Sequence, residues 1–436
     1  MTGELPTRAR RNGFLGHEHW TSAVEFPYPC TDRGFRVRGV PGQNQRTRVR
    51  LLLVVALSGV AGCTASRSDF RPEETIFAAA SVHVPIRLVR NLPLVKVSVN
   101  GSSPRWFVLD TGAETSIVSK RLAARLDLQR EDSGLDILGA GGESIAADAM
   151  CRLSKLRIGD AVFQGAHACI LDLAHLRSAL GESFDGILGY ATFAGCVMTL
   201  DYAAMEMILS RTSDLADRTT GDVIRVRGYG RLPVVEATVG ELPLSLIIDT
   251  GSAETFALPD SLRRVLPFRH GPSPGHRGTT IAGSAHRNQI GRLAAGITLG
   301  PHFVDEPLVF LTSGPARIGG GVLRFFRLTF DARSGRVRME RTSDAPLTTP
   351  GFRSPGFVLR RSGGGWHVAD VLPNTPAFAA GLEEGDRVVT INGIPGARLQ
   401  PSVWSRIRGH GGPIHLVWQR GTERGQMTVE VADVIP

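Results

Sequence analysis

Lysine is almost missing from this chain: Lys96, Lys120 and Lys155 are the whole complement, so a net charge of +9 rests on arginines spread along the length. Aromatic residues make up only 6% of the sequence, and no basic run interleaves with them. A surface that tracks phosphates or stacks bases needs both together, so no nucleic-acid partner is expected. Cysteine is scarce as well, limited to Cys30, Cys63, Cys151, Cys169 and Cys196, with no Cys/His spacing of the metal-binding kind. His286, His302, His367 and His415 stand singly, and neither a metal nor a cofactor is expected. Serine-hydrolase signals are also lacking. Gly271-Pro-Ser-Pro-Gly275 fits the GxSxG pattern, but prolines flank its serine and no hydrophobic strand leads into it; Gly-Asn-Ser-Gly-Gly does not occur. The apolar stretch Leu51 to Val60 is too short to cross a bilayer as a permanent helix.

That short stretch has another reading. Arg46, Arg48 and Arg50 precede it and Val60-Ala61-Gly62-Cys63 closes it, the order of a secretory signal. Its last four residues resemble the bacterial lipobox, which implies a diacylated Cys63 at the mature N-terminus. Residues 46–63 are therefore expected to be a lipoprotein-type signal. Residues 1–45 are expected to fall outside the mature protein; no methionine stands between Met1 and Met150, and Val40 would give a signal of ordinary length. The expected location is extracytoplasmic and membrane-anchored, with Thr64 favouring the outer membrane. Cys151 and Cys169 flank an expected hairpin turn at Gly159-Asp160. A two-residue turn would put them on opposite faces, so no disulfide is predicted.

Self-comparison finds an internal repeat. Residues 91–112 read NLPLVKVSVNGSSPRWFVLDTG and residues 231–251 read RLPVVEATVGELPLSLIIDTG. In each, an alternating strand, a turn (Asn100-Gly101; Gly240) and a hydrophobic strand lead into Asp-Thr-Gly. Downstream, Ile187-Leu188-Gly189 precedes Thr199-Leu200-Asp201, and Ile318-Gly319 precedes Thr329-Phe330-Asp331, with equal spans from glycine to aspartate. Each copy also carries a glycine-bearing stretch, residues 137–142 and 279–284, and short helical segments are expected at Ser119 to Leu126 and Pro259 to Leu266. The pattern is that of a duplicated, mostly β unit: a first lobe at 82–212 and a second at 223–342.

A hydrophobic strand ending in aspartate holds a carboxylate at the end of a rigid element, and glycine lets the chain turn where a Cβ would clash. Two such ends facing one another cannot both ionise, so the pair shares one proton. Phe107-Val-Leu-Asp110-Thr-Gly-Ala113 and Leu246-Ile-Ile-Asp249-Thr-Gly-Ser252 resemble the two half-sites of retropepsin-like and pepsin-like aspartic proteases, fused in one chain. The resemblance implies that Asp110 and Asp249 are catalytic and that Thr111, Gly112, Thr250 and Gly251 support them. It also implies a flap bearing Gly139, Gly141 and Gly142 over an extended polypeptide substrate. Ile187-Leu188-Gly189 resembles the segment that crosses behind the catalytic loop in that family. The second copy departs by placing Arg317 where the first has Ile187. Ser252, matched by Ala113, is expected to offer its hydroxyl to Asp249 and make that carboxyl the one that ionises first.

Thr342 to Ser354, rich in Ser, Thr and Pro, reads as a linker. Beyond it, Gly356-Phe-Val-Leu359, Asn374-Thr-Pro-Ala377, Gly385-Asp386 and Ile391-Asn-Gly393 resemble a bacterial PDZ domain spanning 353–436. This implies a nest at Gly356, Phe357 and Val358 for a protein C-terminus or an internal peptide. The whole is expected to be mostly β: a duplicated bilobal acid-protease fold followed by a β-rich PDZ domain. The linker leads to the expectation that the PDZ domain governs which substrates are cut more than turnover of a short peptide. A reading of another class is a non-catalytic peptide-binding scaffold with a degenerate protease fold; two intact aspartates speak against it.

Overall fold

The computed structural model describes residues 70–132, 134–212, 215, 223–226 and 232–435. The expected signal at 46–63, with Cys63, and residues 1–45 lie outside the described residues.

The chain is mostly β. Among the described residues, a 13-stranded sheet carries the first lobe and the bridge between lobes, a 10-stranded sheet carries the second lobe, and a 6-stranded sheet forms the PDZ region. Each catalytic-type strand belongs to a hairpin set by its turn. Leu92–Val99 pairs antiparallel with Arg105–Asp110, and Asn100 and Gly101 both adopt the positive φ that such tight turns demand. Val234–Val239 pairs with Leu242–Asp249 in the same way around Gly240.

The repeat is expressed as a two-fold relation. Val197–Asp201 from the first lobe and Phe326–Asp331 from the second run antiparallel at the centre of the bridging sheet, with Thr199 opposite Thr329. Their hydroxyls hydrogen-bond at 2.9 Å. On either side lie Glu206–Ser210 and Ser81–Val89, and Arg336–Arg341 and Val223–Arg225. One continuous apolar cluster, including Phe107, Leu109, Phe163, Phe256, Phe326 and Phe330, runs beneath both lobes, so the lobes share a core.

Several boundaries differ from the sequence reading. Glu74–Phe77, upstream of 82, pairs with Ala161–Leu171 and belongs to the first lobe. Pro259 to Leu266 shortens to a 3₁₀ turn at Asp260–Leu262, whereas Ser119 caps the helix Lys120–Arg125 as expected, its hydroxyl accepting from the Leu122 N–H at 3.2 Å. A helix at Ala174–Leu180 was not foreseen. The supposed linker is not free: Leu347–Thr348 pairs with His302–Asp305 of the second lobe, and Phe352–Ser354 pairs with Ala432–Ile435. Cys151 sits opposite Ala168 and Cys169 opposite Met150, so the two cysteines face different clusters and stay free.

Candidate active site

Asp110 and Asp249 end their strands facing each other, and their carboxyls hydrogen-bond together. Each strand is locked from behind. Gly186–Gly189 runs parallel to Arg105–Asp110 with Gly189 beside Asp110, and Arg317–Gly319 runs parallel to Leu242–Asp249 with Gly319 beside Asp249.

The threonines tie the half-sites across the pseudo-two-fold axis. The Thr111 hydroxyl donates to the Ile248 carbonyl at 2.5 Å and accepts from the Thr250 N–H at 3.1 Å. The Thr250 hydroxyl donates to the Leu109 carbonyl at 2.8 Å and accepts from the Thr111 N–H at 3.0 Å. Both threonines are fully buried, so each bond replaces a desolvated polar group that would otherwise be orphaned. The glycines act reciprocally. The N–H of Gly112 donates to Asp110 Oδ1 and that of Gly251 to Asp249 Oδ1, both at 2.9 Å. A Cβ on Gly112 would run into the Asp249 carboxyl, and one on Gly251 into that of Asp110.

The two carboxyls are unequal. Withdrawal from water pushes Asp110 well above its ordinary range, and the charge of Asp249 and their mutual hydrogen bond push it further. Burial raises Asp249 too, but the Arg317 cation, the bond from Asp110 and the N–H groups of Gly251 and Ser252 pull against it. Asp110 therefore holds the shared proton and Asp249 the charge. The sequence reading placed the charge on the same carboxyl but named the wrong donor. The Ser252 hydroxyl makes no bond to Asp249 among the described residues; it lies against Gly319, because the chain turns there to meet the strand behind.

Two hairpins cover the cleft, each reaching the opposite lobe. Asp136–Leu138 and Ser144–Ala146 form the first flap, with Gly139, Gly141 and Gly142 in its tip and Gly142 at φ 85°. The Ala140 carbonyl accepts from Arg317 Nη1 of the second lobe at 2.6 Å, and Gly142 packs against the Ser313 carbonyl. The second hairpin, Phe268–Thr280 with Gly283–Leu293, is far longer than the sequence suggested. Ile281 at its tip packs into the first lobe's apolar cluster with Leu171, Leu173 and Ile187, and His175 bonds the Thr280 carbonyl at 3.0 Å. Gly271 to Gly275 lies within this hairpin as strand, not as a nucleophile turn.

The PDZ region grips that hairpin. Asp370, buried, receives the Arg277 N–H at 3.0 Å, Arg287 through both terminal nitrogens and His276 at 3.4 Å. Burial would raise its carboxyl, but these donors together hold it below 3.8. The other His276 nitrogen meets Ser354 Oγ at 2.7 Å, and that oxygen accepts the Gly356 N–H at 3.0 Å. Phe357 stacks on Trp404 of the helix Pro401–His410, and Val358 lies opposite Asp370 on the edge strand Phe357–Ser362. Arg317, Glu254, Asn288, Asp370 and Arg287 escaped the sequence reading as site residues. Of these, only Arg317 left a trace, as a break in the repeat.

Residues 95–192 match the family model described as aspartyl protease, a range containing Asp110, the first flap and Gly186–Gly189. Residues 350–419 match the PDZ domain model. No curated protein matches the chain. A retropepsin-like protease domain followed by a C-terminal PDZ domain is thus what the chain carries, and this supports a protease with a peptide-interaction module.

Proposed function

We propose that this protein is an active aspartic endopeptidase that hydrolyses peptide bonds with water activated between Asp110 and Asp249. The observation that carries this reading is the paired geometry: two carboxyls face each other at strand ends, locked by reciprocal threonine hydrogen bonds, with each half-site's glycine against the other's carboxyl. An extended polypeptide lies beneath the flaps, with its scissile carbonyl over the dyad. Asp249 takes a proton from the water as the water oxygen attacks the carbonyl carbon, while Asp110 passes its proton to the carbonyl oxygen, giving a gem-diol. The diol then collapses: Asp249 gives its proton to the nitrogen, Asp110 takes back a hydroxyl proton, and the C–N bond breaks to release amine and carboxylic acid with the dyad in its starting state. No step needs a cofactor. The edge strand Phe357–Ser362, beside Pro401–His410, is suited to receive a protein C-terminus or internal peptide by strand addition.

The test is a peptide-library digest by the purified protein, with Asp110→Asn as control. Cleavage by the wild type and none by the variant is expected; equal cleavage by both would assign the proteolysis elsewhere. The signal-like segment supports a further part of the proposal, an extracytoplasmic lipoprotein anchored through Cys63, in the outer membrane of a two-membrane cell. Because several acyl chains anchor where one holds weakly, Cys63→Ser should release the protein to the soluble extracytoplasmic fraction. Unchanged membrane fractionation would contradict the anchor.

A further inference from the structure

The repeat places Ile187 and Arg317 at equivalent positions, each two residues before the glycine that lies beside a catalytic-type aspartate. Ile187 packs among Ile137, Ile281 and other apolar side chains. Arg317 fills the matching slot in the second lobe with a buried cation. An aliphatic side chain would fill that slot without the cost of desolvating a charge, so the choice of arginine calls for a use of its charge.

Its geometry indicates that use. Nε stands 3.6 Å from Asp249 Oδ2, and Nη2 stands 3.7 Å from Glu254 Oε2. Nη1 makes the short contact, 2.6 Å to the carbonyl of Ala140 at the first flap's tip. Glu254 in turn accepts from Asn288 of the second hairpin at 3.3 Å. One guanidinium thus touches the dyad and the first flap, and is one residue away from the second hairpin. The charged and titratable groups facing Asp249 are Asp110 from the other half-site, Glu254 from the loop that follows Asp249 itself, Tyr202 from the turn after Val197–Asp201, and Arg317. Among these described groups Arg317 alone is cationic.

We propose that Arg317 is a positioning residue of this site: it holds Asp249 as the charged carboxyl of the pair and, through Ala140, latches the first flap over it. The inference rests on reading the pair as a catalytic dyad, and a substrate entering the cleft must part the latch. The same side chain would then link cleft opening to the electrostatics of the water-activating group.

The experiment follows two signals that do not require activity, carboxyl ¹³C titration of the dyad and amide exchange of residues 139–143. Removing the arginine alone strands two buried acids, so Arg317→Met is made together with Glu254→Gln and compared with Glu254→Gln alone. Arg317→Lys is measured against wild type. In the Met/Gln protein the first ionisation of the dyad should rise by about one pH unit over its baseline, since an opposite charge at this range lowers a carboxyl by roughly that much or more. In Arg317→Lys the charge stays near Asp249, so the titration should hold close to wild type. Flap amides should exchange about tenfold faster in both, because each loses a charge-assisted bond to Ala140. A dyad titration that does not move in the Met/Gln protein, or flap exchange that does not quicken in either, would overturn the proposal. Both shifts in a protein that cleaves no peptide would uphold the role of Arg317 and defeat the proteolytic reading instead.

Discussion

Asp110 and Asp249 differ through what stands next to them, and that difference has a signed consequence for stability. Both carboxyls titrate above 3.8 in the folded protein, chiefly because burial disfavours charge. The folded state therefore keeps a proton that the unfolded chain releases, and the dyad costs stability as pH rises above 3.8. Asp110→Asn removes that cost. The variant should lose at least about 10³-fold in peptide turnover, the scale of a lost acid–base group, yet unfold at the same or higher temperature than wild type at neutral pH. The stability gain should vanish as pH falls below 3.8. A variant less stable than wild type at pH 7 would contradict the assignment. At this scale the aspartates, threonines and glycines were legible, because each occupies a fixed place in a short motif. The Ser252 hydroxyl was misassigned because its direction depends on the strand crossing behind it.

Elements carry the next level. The two catalytic-type loops are one structure, joined by four threonine hydrogen bonds spanning the lobes. Thr111→Ala would leave the Ile248 carbonyl and Thr250 N–H buried without these partners, at a cost of about 2–4 kcal/mol. It should also cut turnover, because Asp249 loses its lock; chemical denaturation and peptide kinetics on the same preparation check both. A stability change under 1 kcal/mol, roughly, would mean water or backbone replaces the bonds. The hairpins that end in Asp110 and Asp249 were readable from alternation and turn residues, since strand, turn and strand lie within about twenty residues of each other. The long second hairpin was not. Its strands carry Gly271, Pro272, Pro274 and Gly275 and several register shifts, which break the period-two signal, and its tip is held by the first lobe's Leu171 and Leu173. Helix Ala174–Leu180 is short and buries no residue fully, so it leaves little apolar periodicity to detect.

For the whole molecule, the PDZ region is built into the protease and not merely tethered to it. Ile435 packs with Ile290 and Leu308, and Phe352 meets Phe310 edge-on at 6.4 Å, beside the base of the second hairpin. Burying Ile435 alone is worth about 1.5–3 kcal/mol. Beside the expectation that the PDZ domain governs which substrates are cut more than turnover of a short peptide, this packing sets a further one. Asp370→Asn should destabilise the protein by about 2–3 kcal/mol at neutral pH, loosen the second hairpin and lower turnover of a minimal peptide. Since the Asp370 carboxyl titrates below 3.8, that destabilisation should be present in full above 3.8 and fade as pH drops through the folded value. Unfolding curves across pH, with peptide kinetics at neutral pH, read both; unchanged turnover would return the PDZ domain to a role in substrate choice alone. None of this coupling was legible in sequence, because Arg287 and Asp370 are 83 residues apart and neither sits in a motif.

The central claim is that Asp110 and Asp249 act as one water-activating unit, and a double-mutant cycle on a single peptide substrate tests it most directly. Asp110→Asn, Asp249→Asn and the double variant should each lose at least about 10³-fold in kcat/KM, and the double should be little worse than either single, because groups that act together are lost together. Substantial turnover in either single variant, or single losses that multiply in the double, would contradict the account.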